Sequence, residues 1–343
     1  MQKNKANLKK IAEKVDLSLM TVSRALRNSP LVSPKTRDRV MAVAEKLHYR
    51  PNMLMVGVRT GRSRTAGVIV PPSATFHNFI LEGIHDELAD ADYAMMLSWN
   101  KTNIASAGDM QERRFIHRLL EHRVDGIILR PTLDKATDDY FSEIWEQNVP
   151  LIVVDRRLHG VRCDFVGTDD EAVGWVAAAH LMSLGHRRLG HLAGPATVST
   201  AQLRRRGFEL AAARTGEGVA TTVHEAPQFE DVVEDAILLL RTRPRPTAVF
   251  AANDDGACCV MEAARKLGLK IPEDLSVIGC GNLISGKLAD PPLTTFDQHP
   301  YRVGRRAAGR LMERIRSSRT IQYETIEIAP ELVLRASTAP PKN

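Results

Sequence analysis

From Leu8 to Leu47 the apolar residues recur at helical spacing. Leu8, Ile11, Ala12 and Val15 stand at i, i+3, i+4 and i+7, predicting one face of a first helix with Asn7 as its N-cap. Asp16-Leu17 breaks the pattern. Ser18 then caps a second helix whose inward face is Val22, Ala25 and Leu26; Leu17 and Val22 hold the two positions of a hydrophobic staple. After a turn-like connection over 28–31, Ser33-Pro34 opens a third helix with Val40, Val43, Ala44 and Leu47 inward. Pro51 ends it. Three short helices around one apolar seam predict an all-α helix-turn-helix head over residues 1–52. Residues 53–65, MLMVGVRTGRSRT, are apolar and then basic and read as a hinge or linker.

At Ala66 the period changes. Short apolar runs predict strands at 66–70, 94–98, 126–129, 151–154, 188–193, 219–223, 247–251 and 275–279. Amphipathic stretches between and after them predict helices at 79–91, 109–122, 170–184, 200–214, 230–242, 254–267 and 301–316, with last strands near 322–328 and 332–335. Repeated strand–helix units imply an α/β core of parallel sheets with helices on both faces. About 270 residues of this pattern exceed what one sheet needs, so two doubly wound lobes are expected.

Charge separates the same two regions. Residues 1–65 carry 15 Lys and Arg against 4 Asp and Glu, a charge of +11; the rest carries 32 against 37, a charge of −5. A basic head on a slightly acidic body suits a polyanion partner. A membrane-surface segment competes with that reading, but the head lacks a broad apolar face edged with lysines. No run of about 18 apolar residues predicts a spanning helix. The N-terminus has no apolar signal core, which points to the cytoplasm. The four cysteines (Cys163, Cys258, Cys259, Cys280) show no C-x-x-C spacing and read as reduced thiols, with no metal or cofactor expected.

Two sets of residues carry candidate chemistry. On the second helix Met20, Arg24 and Arg27 fall opposite Val22, with Thr21 and Ser23 on the flanks. An arginine fork reads guanine edges, an apolar side chain meets a thymine methyl, and hydroxyls reach phosphates. The competing reading is an amphipathic hairpin with a solvated face. In the core, polar residues follow predicted strands: Arg130, Asp155, Asn253-Asp254 and Gly281-Asn282, with Arg204 in the helix after Gly194-Pro195. Ligands of such sheets bind at the carboxyl ends of strands. Each residue could equally be a helix cap or an ion pair; together they suit a polyol or an anion.

Seven segments stand in a specific order: MTVSRAL (20–26), VSPKTRDRV (32–40), LHYRPN (47–52), VDGIIL (124–129), HLMSLGHRRLGHLAG (180–194), FAANDDGA (250–257) and PPLTTFDQ (291–298). Through them the chain resembles, over nearly its whole length, the lactose/galactose-repressor family of transcription regulators. The resemblance implies a hinge helix and a periplasmic-binding-protein-like core over 66–338. Its N-lobe would span about 66–168 and 299–325, its C-lobe about 169–297 and 326–338, with crossovers near 168, 298 and 326. It implies Leu19, Met20 and Arg24 as base readers. Ser18, Thr21, Ser23, Ser33, Thr36, Tyr49 and Asn52 would serve the phosphate backbone, and Met55 and Val58 the hinge contacts. Phe79, Arg130, Asp155, Arg204, Asn253 and Gln298 match effector-lining positions. It further implies a homodimer on a palindromic operator, controlled by a small effector between the lobes: a sugar, sugar acid or sugar phosphate.

Three departures stand out. Asp16 replaces the usual turn glycine, and Asp tolerates the left-handed conformation. Met55 and Val58 replace an Ala and a Leu, with Gly57 between them, and Gly costs about 1 kcal/mol in a helix. The acidic residue usual after the strand near 279 is missing, and Asn282 is the candidate replacement. Other classes fit less well. A periplasmic sugar-binding protein needs a signal peptide and lacks a head like residues 1–52. An enzyme needs a motif such as G-x-G-x-x-G, a P-loop or G-x-S-x-G, none of which occurs. A DNA-binding protein whose core takes no ligand stays open.

Overall fold

A computed structural model of the chain describes residues 7–50, 57, 60–72, 75–99, 105–132, 141–215, 218–229, 231–317 and 322–342. It divides into two compact units, Met1–Ser63 and Arg64–Asn343.

The first unit holds α1 (Leu8–Val15), α2 (Leu19–Leu26) and α3 (Pro34–Lys46). Each begins on the cap its sequence predicts. Asn7 Oδ1 accepts the Lys10 N–H at 3.0 Å, Ser18 Oγ that of Thr21 at 3.1 Å, and Ser33 Oγ that of Thr36 at 3.3 Å. Asp16 ends α1 at φ 50° and ψ 54°, so the aspartate adopts the left-handed turn where glycine is usual. Ile11, Val15, Val22 and Val40 form the buried seam, with Leu17, Leu26, Leu47 and Tyr49 packed around it. Each such side chain contributes about 2 kcal/mol, so few contacts sustain this unit. In the linker Gly57 O accepts the Gly61 N–H at 2.8 Å. Asn52, Met55 and Val58 lie outside the described residues.

The second unit begins with β1 (Thr65–Ile69), α4 (Thr75–Asp90), β2 (Ala94–Ser98), α5 (Ala105–Glu121), β3 (Gly126–Leu129), α6 (Ser142–Glu146), β4 (Leu151–Val154) and β5 (Asp164–Thr168). It continues with α7 (Asp170–Ser183), β6 (Arg188–Ala193), α8 (Ser199–Thr215), β7 (Ala220–Glu225), α9 (Val233–Arg241), β8 (Ala248–Ala251), α10 (Asp254–Lys266), β9 (Ser276–Ile278), α11 (Ile284–Leu288) and β10 (Thr295–Asp297). α12 (Pro300–Arg316), β11 (Thr325–Ile328) and β12 (Glu331–Val333) complete it. One sheet has the order β11-β5-β4-β3-β1-β2 and the other β7-β6-β8-β9, all pairs parallel. β10 and β12 form a small antiparallel pair. The chain therefore builds two lobes and crosses between them three times, after Thr168, after Asp297 and after Ile328.

Two expectations need correction. The third crossover was expected near 326, with the N-lobe ending at 325; β11 instead pairs with β5 through Ile328, so those residues belong to the first lobe's sheet. β5 was not predicted at all. Its sequence DFVGT has only two strongly apolar letters, yet all five residues are buried. Asp164 is tolerated there because Arg310 Nε donates to it at 2.8 Å, the Glu324 N–H at 3.0 Å, and Arg314 also.

Close helix packing sets the lobe interiors. A Cβ on Gly174 of α7 would overlap the Arg204 carbonyl of α8, and one on Gly207 would overlap the Glu171 carbonyl. The two helix backbones touch through these glycines.

Candidate functional site

On the head, the N-terminal turn of α2 is the exposed feature. Leu19 is 52% and Met20 62% exposed, although the helix buries Val22 and Ala25. Large apolar side chains held in water by a rigid, capped helix suggest a surface that a partner covers. Thr21, Ser23 and Arg24 are half-buried beside them. The hydroxyls expected at phosphates have local work as well. Ser18 Oγ lies 2.9 Å from Thr21 Oγ1, and Ser33 Oγ donates to Thr36 Oγ1 at 2.9 Å. The start of each helix thus presents backbone N–H groups and hydroxyls together, the arrangement that holds an anion. Tyr49 packs half-buried on the apolar seam, and burial raises its hydroxyl pKa.

In the core, strand ends bring together two guanidinium–carboxylate pairs. Arg130 follows β3 and Asp155 follows β4, the adjacent strand. Arg130 Nε donates to Asp155 Oδ2 at 2.7 Å. Asp155 stands at φ 65°, a left-handed conformation in which a non-glycine residue carries strain, common at ligand sites. Burial alone would raise its pKa; the charge of Arg130, then His77 and Arg156, overcomes this and holds the carboxyl below the usual range.

The second pair sits where the Gly174–Gly207 packing presses α7 on α8. Arg204 Nε donates to Asp170 Oδ1 at 2.7 Å, and Arg204 Nη1 donates to the Ala252 carbonyl at the end of β8. Both side chains are buried. Burial pushes the Asp170 carboxyl up to about 6, against the opposing charge of Arg204 and with that of Asp155. Asp155, on the first lobe, is therefore felt at Asp170 and Arg204 on the second. A direct tie accompanies this: the Arg157 N–H donates to Ser199 Oγ at 2.9 Å, joining the segment after β4 to the start of α8. Gln298, at the second crossover, donates to Thr168 Oγ1 at the first, at 3.2 Å.

Other expected residues behave differently. Asn253 is the N-cap of α10, its Oδ1 accepting the Gly256 N–H at 2.8 Å. Asn282 does not stand in for the missing carboxylate. Its Nδ2 donates to Asp297 at 3.0 Å, its Oδ1 accepts from Arg335, and it meets neither arginine–aspartate pair. The carboxylate beside that strand is Asp254. It is buried, accepts the Leu283 N–H at 2.7 Å, and leaves no room for a Cβ at Gly279. Phe79 is 46% exposed and belongs to none of the apolar clusters. Two residues earlier on α4, His77 is the side chain beside Asp155. His77 Nε2 lies 3.6 Å from Asp155 Oδ2. The strand-end rule that found Arg130 applies equally to the segment after β1, where His77 stands. Asp170 was missed because it reads as a helix-start acid.

His180, His186 and His191 are held by hydrogen bonds in the core. His186 lies within 3.1 Å of Thr247, Ser276 and the Ala339 carbonyl, His180 is 3.4 Å from Thr338 Oγ1, and His191 Nδ1 is 2.9 Å from the Phe250 carbonyl. Among the described residues no group of His, Cys, Asp and Glu could hold a metal ion, and no helix is long and apolar enough to cross a membrane.

Known proteins share both units. Residues 7–52 match the model for bacterial regulatory proteins of the lacI family, and residues 178–338 the model for a periplasmic binding protein-like domain. The HTH-type transcriptional regulator DegA of Bacillus subtilis is 30% identical over 343 residues, spanning 98% of this chain and 99% of that protein. The Lac repressor dimer bound to operator and the anti-inducer ONPF superposes with a TM-score of 0.84 at 25% identity, over 97% of this chain and 99% of that one. The complex of the transcriptional regulator CelR with cellobiose gives 0.71 at 25% identity over the same shares.

Proposed function

We propose, on the premise that this chain belongs to the lacI family of bacterial regulatory proteins, that it represses transcription from a palindromic operator as a cytoplasmic homodimer and that a small effector between the core lobes sets its affinity for DNA. The observation that carries the reading is the capped second helix with Leu19 and Met20 exposed, within a stretch, residues 1–65, of charge +11. Arg24 lies one turn beyond Met20 on the same face and supplies the bidentate donor. Ser18, Thr21, Ser33 and Thr36, at two helix N-termini, meet phosphates, and Ser23, Tyr49 and Asn52 support them. One head reads a half-site, so two-fold pairing matches a palindrome. Apolar surface for pairing is present: Ile284 and Leu288 of α11 are both exposed. Residues 53–65, with Met55 and Val58, form the hinge between the head and the two-lobed core.

The effector site is the pair of arginine–aspartate clamps, Arg130–Asp155 and Arg204–Asp170, with Gln298 at the crossovers and Asn253 at the rim. An effector changes DNA affinity only by its different affinity for two lobe arrangements, and the three crossovers are where those arrangements interconvert. The likeness to the Lac repressor with operator and anti-inducer and to the CelR–cellobiose complex supports both halves of the reading.

Selection of bound duplexes from a random pool tests the DNA half. The full chain enriches a palindrome, and Arg24→Ala loses preference at one position of each half-site; uniform loss across sequences would reduce Arg24 to a phosphate contact. For the core, Arg204→Lys keeps the charge beside Asp170 but removes the planar fork. It retains operator binding and loses the effector response.

A further inference from the structure

Five arginines gather at the start of the second lobe's strands. Arg188 begins β6, with Arg187 just before it; Arg241 ends α9, and Arg243 and Arg245 stand in the segment that leads to β8. The two stretches lie side by side. The Thr247 N–H donates to the Arg188 carbonyl at 2.8 Å, and Arg188 Nε donates to the Arg245 carbonyl at 3.0 Å. All five arginines are exposed.

Their charges are held in place but not cancelled. Arg187 Nη1 donates to the His186 carbonyl at 3.1 Å, and Arg243 Nη1 to the carbonyls of Arg241 and Thr242 at 3.3 and 3.2 Å. With Arg188, three guanidiniums thus rest on main-chain oxygens, and among the described residues none of the five meets a carboxylate within 4.0 Å. Arg130, Arg204, Arg206 and Arg305 each meet one. Asp274, which feels the charge of Arg245, is already engaged by Lys342 Nζ and by the Lys270 N–H, both at 2.9 Å. On a core of charge −5 the cluster is a local reversal of sign.

A polyanion supplies the missing partner, because guanidinium forks take phosphate oxygens in pairs. A protein partner calls for an apolar centre to its interface. Among the described residues of α9, β6 and β8, Leu238 alone is a large exposed apolar side chain. Position within the core narrows the choice further. The two sheets turn their carboxyl ends toward each other, as the bond from the segment after β4 to Ser199, after β6, shows. The starts of β6 and β8 therefore lie at the opposite end of the core from the start of β1, where the linker enters at Arg64.

We propose that Arg187, Arg188, Arg241, Arg243 and Arg245 bind the phosphate backbone of a second DNA duplex, without sequence preference, while the head holds an operator. The protein then bridges two duplexes. No base is read at this contact, so its affinity follows salt: five phosphates neutralised give a slope of log affinity on log salt of about −4.5.

The test is two-duplex capture by the full chain. The duplex enriched from the random pool is immobilised and saturated with protein, and a labelled duplex of arbitrary sequence is added at several salt concentrations. The parent captures the label. Arg241→Gln/Arg243→Gln/Arg245→Gln captures it about tenfold more weakly or worse at about 0.1 M salt, with a slope shallower by about 3, and still binds the immobilised duplex as the parent does. Arg302→Gln/Arg306→Gln/Arg316→Gln removes the same charge from exposed positions of α12 and captures like the parent. An unchanged urea midpoint shows that each variant is folded. Equal capture by the first variant puts the second duplex on the heads and overturns the proposal. Equal loss in both variants reduces the effect to net charge and overturns it as well. If the parent captures no label and the first variant weakens binding only to immobilised duplexes with long flanks, the cluster touches the operator's own flanks and the second duplex is refuted. Tighter cluster-dependent binding of anionic phospholipid vesicles or of polyglutamate than of duplex also refutes it. If the pool enriches no duplex, the operator reading fails by itself, and filter binding of the arbitrary duplex to the parent and both variants still decides the cluster.

Discussion

His191 should make the second lobe acid-sensitive by an amount that can be worked out in advance. The residue lies on β6 with no exposed surface. Its ring stacks on Phe250 at 4.8 Å and 6° and on Phe208 at 5.2 Å, Nδ1 meets the Phe250 carbonyl, and Nε2 has no partner among the described residues. Burial, with the nearby Arg205 and Arg204 charges, lowers its pKa from the ordinary 6.5 to about 4, against the pull of the carbonyl. The folded pKa is below the unfolded one, so the unfolded chain binds the extra proton first. Stability tied to neutral His191 is complete above pH 6.5 and is lost as pH falls toward 4. A shift of this size corresponds to about 3 kcal/mol in full, and about 2 kcal/mol of it is lost between pH 7.5 and pH 5. His191→Leu removes the titration and the orphaned Nε2 while keeping an apolar core side chain. Urea unfolding of the full chain and the variant at both pH values isolates the effect, because every other titrating group is common to the two. The variant should lose about 2 kcal/mol less than the parent on acidification. Equal losses would refute the reasoning, showing that His191 either protonates in the fold or is reached by water.

Three further outcomes are expected. Gly174→Ala drives a methyl into the Arg204 carbonyl, separates α7 from α8, and lowers the melting temperature by calorimetry together with the effector response, while head-only DNA contacts persist. Asp164→Ala strips Arg310 and Arg314 of their buried partner and should cost about 3–5 kcal/mol by denaturant titration; a change under about 1 kcal/mol would mean that water replaces the carboxylate. Ser18→Ala removes the cap of α2 and should destabilise the head by about 1 kcal/mol, seen as a lower midpoint of its helical circular dichroism melt and weaker operator binding.

Sequence alone determined what local physics decides. The caps at Asn7, Ser18 and Ser33, the left-handed turn at Asp16 and the apolar seam of the head depend on contacts within a few residues, and each was legible as a spacing. The alternation of strands and helices in the core was legible because buried parallel strands are runs of apolar letters. Arg130 and Asp155 could be placed at strand ends for the same reason. Tertiary structure decided the rest, where a residue's meaning depends on a distant neighbour. Asp164 sits in a strand only because Arg310 and Arg314, some 150 positions later, neutralise it. Asp170 became half of a clamp because Gly174 and Gly207 let two helices touch. His77 meets Asp155, and Asn282 is drawn to Arg335 and Asp297, because charge and hydrogen-bond pairing are settled across the fold and leave no period along the chain.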